Sequence, residues 1–536
     1  MAFKTNDFQQ ITMDDRFRSL SPRTQRVVLN SWAKSFAEIV FPAIDEERFA
    51  VLYSDCPASR PNTPINVIIG ALMLKEMLGL SDDELLSSIC CDIRFQYALH
   101  TTSFEEQPVS DRTFSRFRER IYNYEKEYHI DILKDEMMSL TNTFAKFLNL
   151  NSNLKRMDSL MIASNSKRMS RLEIVYTVVA NAVRLLDRVG MNELIPSKMD
   201  HYFRKDDLNE VIYYRKSEDV TGRLDQTIED ALALRKIMAD DQWQEFQEYQ
   251  LLIRVLNEQV SEDSEGTLKP KNKAEIRPDS LQNPSDPDAT YRRKAGKDHK
   301  GYVANIVETV GEKGCTLITD VSYDINSHSD SAFCKEYVDL HDGNSKETLI
   351  ADGAYSGEEN TTLAQEKGIE LITTALLGRQ PDPVIADFEF SQDGCRVIHC
   401  PMNHEPIKST YYNKIESCRV IFDKKHCDGC PNSKACKVKL QRKTAIVMVS
   451  TKMVARAEYA KKLSSEEYKK LTRQRNGVEG IPSVLRRKYQ VDKIPVRGLL
   501  KSKLFFIFKI VAYNIKKLLK YLPIPREESA LNPVIA

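Results

Sequence analysis

The sequence predicts an α/β protein: a mixed sheet with flanking helices, preceded by an all-helical N-terminal region and interrupted by a helical insertion and a small cysteine-rich insert. Three observations predict it. Apolar residues recur at helical spacing through the first 150 residues. Strand-like runs then alternate with helical stretches in a β-β-β-α-β-α order, which suits a mixed sheet with helices on it. Six of the eleven cysteines fall between Cys395 and Cys436, in a segment with few large apolar residues. A chain of 536 residues is too long for one compact core, so roughly two to four domains are expected.

The elements follow from local patterns. Ile65, Ile68, Ile69, Leu72, Met73 and Met77 form a helical stripe behind Pro64, which suits a first helical position. Ser81-Asp82-Asp83-Glu84 is a capping box for the next helix. Ser110 caps another, in which Phe114, Phe117 and Ile121 make a core stripe. Arg112, Arg116, Arg118 and Arg120 interleave with that stripe, either solvated or facing nucleic acid. A strand is expected at Leu154 to Ile162, and helices at about Arg171 to Val189 and Arg223 to Val260. Residues 261–300 are rich in Pro, Ser, Asp and Lys without an apolar period, and are expected to be a flexible segment. Tyr302 to Val310 and Thr316 to Ile325 alternate as a hairpin about Gly311 to Gly314. A helix near Ser331 to Leu340, a strand at Thr348 to Ala351, a helix at Glu358 to Lys367 and a strand at Ile369 to Thr374 complete the pattern.

Charge is unevenly spread. The whole chain carries a formal net charge of +1. Between Leu471 and Lys520, however, 13 Lys or Arg stand against Glu479 and Asp492, a surplus of 13 − 2 = +11. Such a surplus is either a solvated face or a footprint for phosphates. The apolar run Leu499 to Leu522 is broken by Lys501, Lys503, Lys509, Lys516 and Lys517, which fits an amphipathic helix and not a membrane span. Met1 to Gln10 has no apolar core of a secretory signal, and the cysteines show no secreted disulfide pattern. A cytoplasmic protein with reduced thiols is expected.

Three acidic segments point to chemistry: Arg156-Met157-Asp158-Ser159, Leu349-Ile350-Ala351-Asp352-Gly353-Ala354-Tyr355, and Arg475-Asn476-Gly477-Val478-Glu479. Two aspartates and a glutamate from distant parts of a chain can hold two divalent metals, as in-line phosphoryl transfer requires. Such hard-oxygen sets suit Mg²⁺ or Mn²⁺. Asp320, Asp324 and Asp330 are rival candidates, with Asp320 ending a strand.

At these segments the chain resembles the DDE transposases of bacterial insertion sequences. Met157-Asp158-Ser159 with Ile162 and Ser164-Asn165 is similar to the segment around their first catalytic aspartate, and Asp352-Gly353-Ala354-Tyr355 to the D-x-G-Y segment around their second. Thr472, Arg475, Glu479 and Arg486 keep the spacing of the family's Y-x2-R-x3-E-x6-K signature, with Thr in place of Tyr and Arg in place of Lys. Arg497-Gly498-Leu499 and Asn514-x2-Lys517-Leu518 fit its C-terminal helix, and Arg60 through Arg118 looks like the helical domain often joined to these enzymes.

The resemblance implies a ribonuclease H-like catalytic domain over 151–390 and 445–525, with a helical insertion at 171–260 and a tail at 526–536. It implies a DNA-end-binding domain over 1–150. Asp158, Asp352 and Glu479 would be catalytic and metal-binding. Arg475, Arg486, Arg487 and Lys488, with Arg112, Arg116 and Arg118, would bind DNA, the protein acting as a homodimer or higher multimer at the nucleoid. A domesticated, inactive DNA-binding protein and a nuclease without strand transfer are the alternatives.

The insert at 391–444 is read from its ligands. Cys427-x2-Cys430 presents two thiolates, with Cys436 and Cys400 nearby, and four such ligands suit tetrahedral Zn²⁺. His404 or Cys395 is an alternative to Cys400. A metal would supply folding energy that so small an insert lacks.

Overall fold

The structure is a computed structural model that describes residues 1–6, 15–56, 58–213, 219–262, 268–294, 296–343, 346–376, 378 and 380–522. The expected tail at 526–536 lies outside the described residues. The chain divides into two compact units: Met1–Ser152 with Ser159–Ser329 and the part from Pro482 onward, and Asn153–Asp158 with Asp330–Ile481. The strand Leu154–Ala163 contributes its first half to one unit and its second half to the other.

In the larger unit the apolar run near the C-terminus is the helix Leu499–Tyr521. It is not amphipathic as expected: every residue from Leu504 to Ile515 is buried. A helix apolar on all sides belongs inside a core, and this one packs against the helix Ile65–Leu78, which buries 12 of its 14 residues. Two of the lysines that interrupt the run are neutralised within the fold. Lys509 Nζ meets Glu76 Oε2 at 2.6 Å, and Lys503 meets Asp131 at 2.8 Å and also Glu125. Burial, with Asp131 beside it, raises the Glu125 pKa to about 7 against the pull of Lys503. No helix among the described residues is long and apolar enough to cross a membrane.

The same unit holds the hairpin Lys297–Val310 and Thr316–Ile325, with Thr290–Lys294 on the other side of its first strand. The second half of Leu154–Ala163 lies alongside Lys297–Val310. Asn514 fastens the C-terminal helix to the hairpin. Its side chain accepts from Ile318 N at 2.9 Å and donates to Ile318 O at 2.8 Å and Thr141 Oγ1 at 3.1 Å. The insertion forms its own apolar cluster from the helices Arg171–Arg188, Val220–Ile237 and Gln247–Gln259. The pattern expected as one helix to Val260 is therefore broken, with Trp243 buried in the connection.

Residues 261–300, expected to be flexible, are pinned where they are described. Asp286 is fully buried and accepts from Tyr302 Oη, Ser164 Oγ and Gly498 N. Asp288 accepts from Leu499 N at 2.9 Å, which caps the C-terminal helix. Arg254 donates to the carbonyls of Pro287 and Asp279. Side-chain bonds to backbone, not apolar periodicity, organise this stretch.

In the second unit, Glu347–Ala351 pairs in parallel with Ile369–Thr373 and with the first half of Leu154–Ala163. The helices Asp330–Asp339 and Glu358–Glu366 accompany them. A separate four-stranded sheet follows, in the order Lys408–Tyr412, Ser417–Asp423, Thr444–Val449, Lys439–Leu440. Its inner face buries Cys418, Val420, Phe422, Val447 and Val449.

Replacing Asn514 with Ala leaves the Ile318 backbone groups and a threonine hydroxyl without their partner. A loss of about 2–4 kcal/mol is expected from the buried groups left unsatisfied, to be read from urea unfolding curves; a change below about 1 kcal/mol would remove the clasp from the account of the fold.

Candidate active site

The two aspartates are brought together by strand register. Arg156 pairs with Ile350 across the parallel strands Leu154–Ala163 and Glu347–Ala351. That is the last pair of the ladder, and Asp158 and Asp352 each stand two residues further along the chain. Asp352 ends its strand and caps the turn Gly353–Tyr355, accepting from Gly353 N at 2.6 Å. Gly353 is needed there, because a Cβ would come within 2.8 Å of the Ala375 carbonyl oxygen. Asp352, at the carboxyl end of its strand, stands in the usual crevice for ligands in α/β sheets, while Asp158 lies midway along Leu154–Ala163.

Glu479 reaches the same place from the turn after the helix Glu466–Arg475. This helix lies against Glu347–Ala351, and Tyr468 Oη donates to Glu370 at 2.8 Å. Val478 is fully buried and anchors the turn. All three carboxylates draw on one guanidinium. Arg475 Nη1 donates to Glu479 Oε1 at 2.7 Å, and Nη2 lies 3.6 Å from Asp158 Oδ1 and 3.9 Å from Asp352 Oδ2. The Arg475 side chain is 12% exposed, and its Nε is buried with no hydrogen-bond partner. Glu479 is 57% exposed and forms the rim, while Asp158 at 15% forms the floor. Among the described residues no group of three or more His, Cys, Asp or Glu is set to hold a metal ion as the side chains stand. The guanidinium occupies the centre of the carboxylates.

Sequence reasoning missed Arg156. Its Nη1 donates to the Gln474 carbonyl at the C-terminal end of the Glu466–Arg475 helix, a favourable end for a cation. It passes over Gly477, where a Cβ would lie 2.0 Å from Nη1. The strand of the first aspartate is thus tied to the turn of the glutamate. The signal was the Gly477 two residues before Glu479, which has no other role at an exposed turn.

The other expected residues divide. Asp320 is not part of the cluster: it pairs with Lys134 at 3.0 Å. Arg118 is committed within the fold, bidentate to Asp82 at 2.8 and 2.9 Å and over the Phe505 ring. Arg118, with Lys75, holds the Asp82 carboxyl well below the usual range. Arg112 is exposed, and Arg116 lines a cleft of about 440 Å³ with Arg60 and Arg120. Arg487 bonds Ser483 at 2.6 Å, Lys488 is exposed, and Arg486 pairs with Asp492 at 3.1 Å. The +11 surplus is therefore no single basic face. Lys503 and Lys509 are neutralised internally, and Lys501, Lys516 and Lys517 lie over the rings of Tyr122, Tyr489 and Tyr513.

Cys400, Cys427, Cys430 and Cys436 line one small cavity of about 20 Å³ together with His404 and His426, whose rings stack 4.2 Å apart. Burial, with Cys430, Cys400 and Cys427 beside it, pushes the Cys436 thiol up to about 12. Cys395 does not line the cavity; its carbonyl accepts from Cys418 Sγ.

A double-mutant cycle tests the packing of Arg156 over Gly477. Gly477→Ala should destabilise the protein in the presence of Arg156 and be nearly neutral beside Arg156→Ala. A coupling of about 1–2 kcal/mol is expected for residues that touch. Additive effects in chemical denaturation would mean that the turn is held by something else.

Two family models match the chain. One, described as Transposase DDE domain, matches residues 399–519, which include the four cysteines, Arg475 and Glu479 but neither Asp158 nor Asp352. The other, described as Transposase domain (DUF772), matches residues 27–120, which include Arg112, Arg116 and Arg118. No curated protein and no solved structure matches the chain. Both matched stretches are transposase domains, and together they support a DDE transposase of the insertion-sequence type.

Proposed function

We propose that this transposase cleaves the ends of a mobile DNA element and joins them to target DNA by metal-dependent phosphoryl transfer at Asp158, Asp352 and Glu479. The observation that carries this reading is the convergence of the three carboxylates on Arg475. An all-carboxylate set that already collects around one cation suits Mg²⁺ or Mn²⁺. Such ions supply Lewis-acid activation of the attacking and leaving oxygens. The chain's own part is positioning and charge. Asp158 and Asp352, fixed by strand register, orient the site. Arg475, displaced from the carboxylates, turns its cationic fork and unpartnered Nε toward a DNA phosphate. Arg156 keeps the Glu479 turn beside the strand of Asp158. Catalysis of this kind is mostly preorganised electrostatics.

The fold is read as ribonuclease H-like, over 151–390 and 445–525. The parallel pairing of Leu154–Ala163 with Glu347–Ala351, and the place of its second half beside an antiparallel hairpin, support this. Residues 1–150 are assigned DNA-end binding through Arg112 and Arg116, while Arg118 acts by bracing that region. Arg486, Arg487 and Lys488 are assigned to the DNA backbone. The protein acts as a homodimer or higher multimer on DNA in the cytoplasm. The cysteine-rich insert, 391–444, holds one structural Zn²⁺ on Cys400, Cys427, Cys430 and Cys436. Their shared cavity, about 20 Å³, exceeds the roughly 10–15 Å³ that a single water needs. Burial, then the neighbouring cysteines, raises the Cys427 and Cys436 thiols, so a thiolate at either position calls for a cation beside it.

Asp158→Asn, Asp352→Asn and Glu479→Gln should each lower Mg²⁺-dependent strand cleavage by roughly 10⁴-fold, as for groups that act as a unit, while binding of the element's ends persists. Full cleavage by Glu479→Gln sinks the reading, and cleavage without any joined product in a strand-transfer assay turns it into a nuclease.

Elemental analysis should find about one zinc per chain. Cys430→Ser should abolish it and lower the melting temperature. Zinc-free protein with an unchanged melting temperature overturns the zinc assignment.

A further inference from the structure

The larger unit contains a cavity of about 700 Å³ that belongs to no site described so far. Its floor is the strand segment from Ser159 to Ser164. Six cations line it: Lys167, Arg168, Lys294, Lys297, Lys300 and Arg486. The lining holds one carboxylate, Asp492, which Arg486 already engages at 3.1 Å, and Lys167 is paired with Glu173 at 2.8 Å, which leaves Arg168, Lys294, Lys297 and Lys300 as the surplus. Gly301 makes the geometry. A Cβ there would lie 2.3 Å from the Ile162 carbonyl oxygen, so the hairpin can lie flat on the strand and bring its lysines over the floor.

The cations crowd one another. Burial, then Arg168, lowers the pKa of Lys300, whose Nζ rests on the Met169 carbonyl at 3.1 Å. Burial, then Arg486, lowers that of His299. Lys294 reaches the Ser159 hydroxyl at 3.2 Å. Lys297 makes no ion pair among the described residues. A concave site with this surplus of positive charge attracts an anion with several charges. Its volume lies within the roughly 300–1,000 Å³ of ligand pockets. It is too small to admit a duplex, whose major groove alone is about 12 Å wide.

We propose that this cavity binds one or two nucleotides of a single DNA strand through their phosphates, with Lys294, Lys297 and Lys300 as the principal contacts. The proposal rests on the DNA-cleaving reading above and names a part of the substrate that the acidic triad does not hold.

The test uses the full chain in EDTA and a fluorescent single-stranded ten-nucleotide oligothymidylate, with anisotropy titrations at several salt concentrations. Lys297→Glu is the main variant, because its side chain supports nothing else. Lys294→Gln/Lys297→Gln/Lys300→Gln is the second. Lys297→Glu should weaken binding about tenfold at low salt and reduce the log–log salt slope by about 0.7 for each phosphate no longer neutralised. A 5′-phosphorylated thymidine dinucleotide should compete far better than inorganic phosphate. Equal competition by phosphate would make the cavity a free-anion site and overturn the strand proposal. So would unchanged oligonucleotide affinity in both variants. Unchanged affinity together with cleavage that Asp158→Asn abolishes removes the cavity and keeps the cleavage reading. Weakened affinity in the variants of a protein whose wild type cleaves nothing removes the cleavage reading and keeps the cavity.

Discussion

Three carboxylates crowd the ends of two neighbouring parallel strands, and Arg475 is what offsets their repulsion. Two unit charges 4 Å apart interact by about 4 kcal/mol at the effective dielectric of a protein surface. Asp158 and Asp352 both approach the same guanidinium nitrogen, at 3.6 and 3.9 Å. The surrounding structure serves to bring the guanidinium to them. Tyr459 Oη accepts from Thr373 N at 2.7 Å, and Ser465 caps the helix that ends at Arg475. Arg156 then holds the far side of the turn by its bond to Gln474.

The strands and their ends were legible because they alternate and finish on acidic or turn residues. Asp352 could be named from the sequence for that reason, whereas Asp158, midway along its strand, was named from the likeness of its flanking residues to a family segment. Their being side by side could not, since register is decided by pairing across almost 200 residues of intervening chain. The C-terminal helix misled for a different reason. Its lysines make it read as one-sided, but Glu76, Glu125 and Asp131 neutralise two of them from elements roughly 400 positions away. Residues 261–300 offered no period, because Asp286 and Asp288 organise them through single hydrogen bonds to backbone and hydroxyl groups. Arg118 was counted toward DNA because nothing local to it shows that Asp82 takes both of its donors.

Charge counting along the sequence overstates the surface available to phosphates. A lysine that meets a buried glutamate, or lies over a tyrosine ring, is committed to the fold. What remains for DNA is set by geometry. Lys488 is exposed, and Lys297 stands in a concavity without a counter-charge. The positive charge free to act therefore sits partly outside the C-terminal basic tract, on a hairpin some 180 residues earlier. The sequence placed these lysines in a stretch expected to be flexible, with no sign that they line a cavity with Arg168 and Arg486.

Arg475 also bears on the metal-dependent reading. A guanidinium among carboxylates is itself a cation in a cation site, so exchange for divalent ions keeps the charge of the cluster favourable throughout. The buried Nε without a partner means that the present arrangement does not satisfy the arginine fully, which costs about 1–3 kcal/mol for a donor of this kind. A phosphate offers a pair of oxygens that the planar guanidinium fork can take bidentately. On the proposed reading, substrate and metal therefore act in the same direction. DNA draws Arg475 outward by offering it better acceptors, and the carboxylates it leaves behind become the ligands that the chemistry requires.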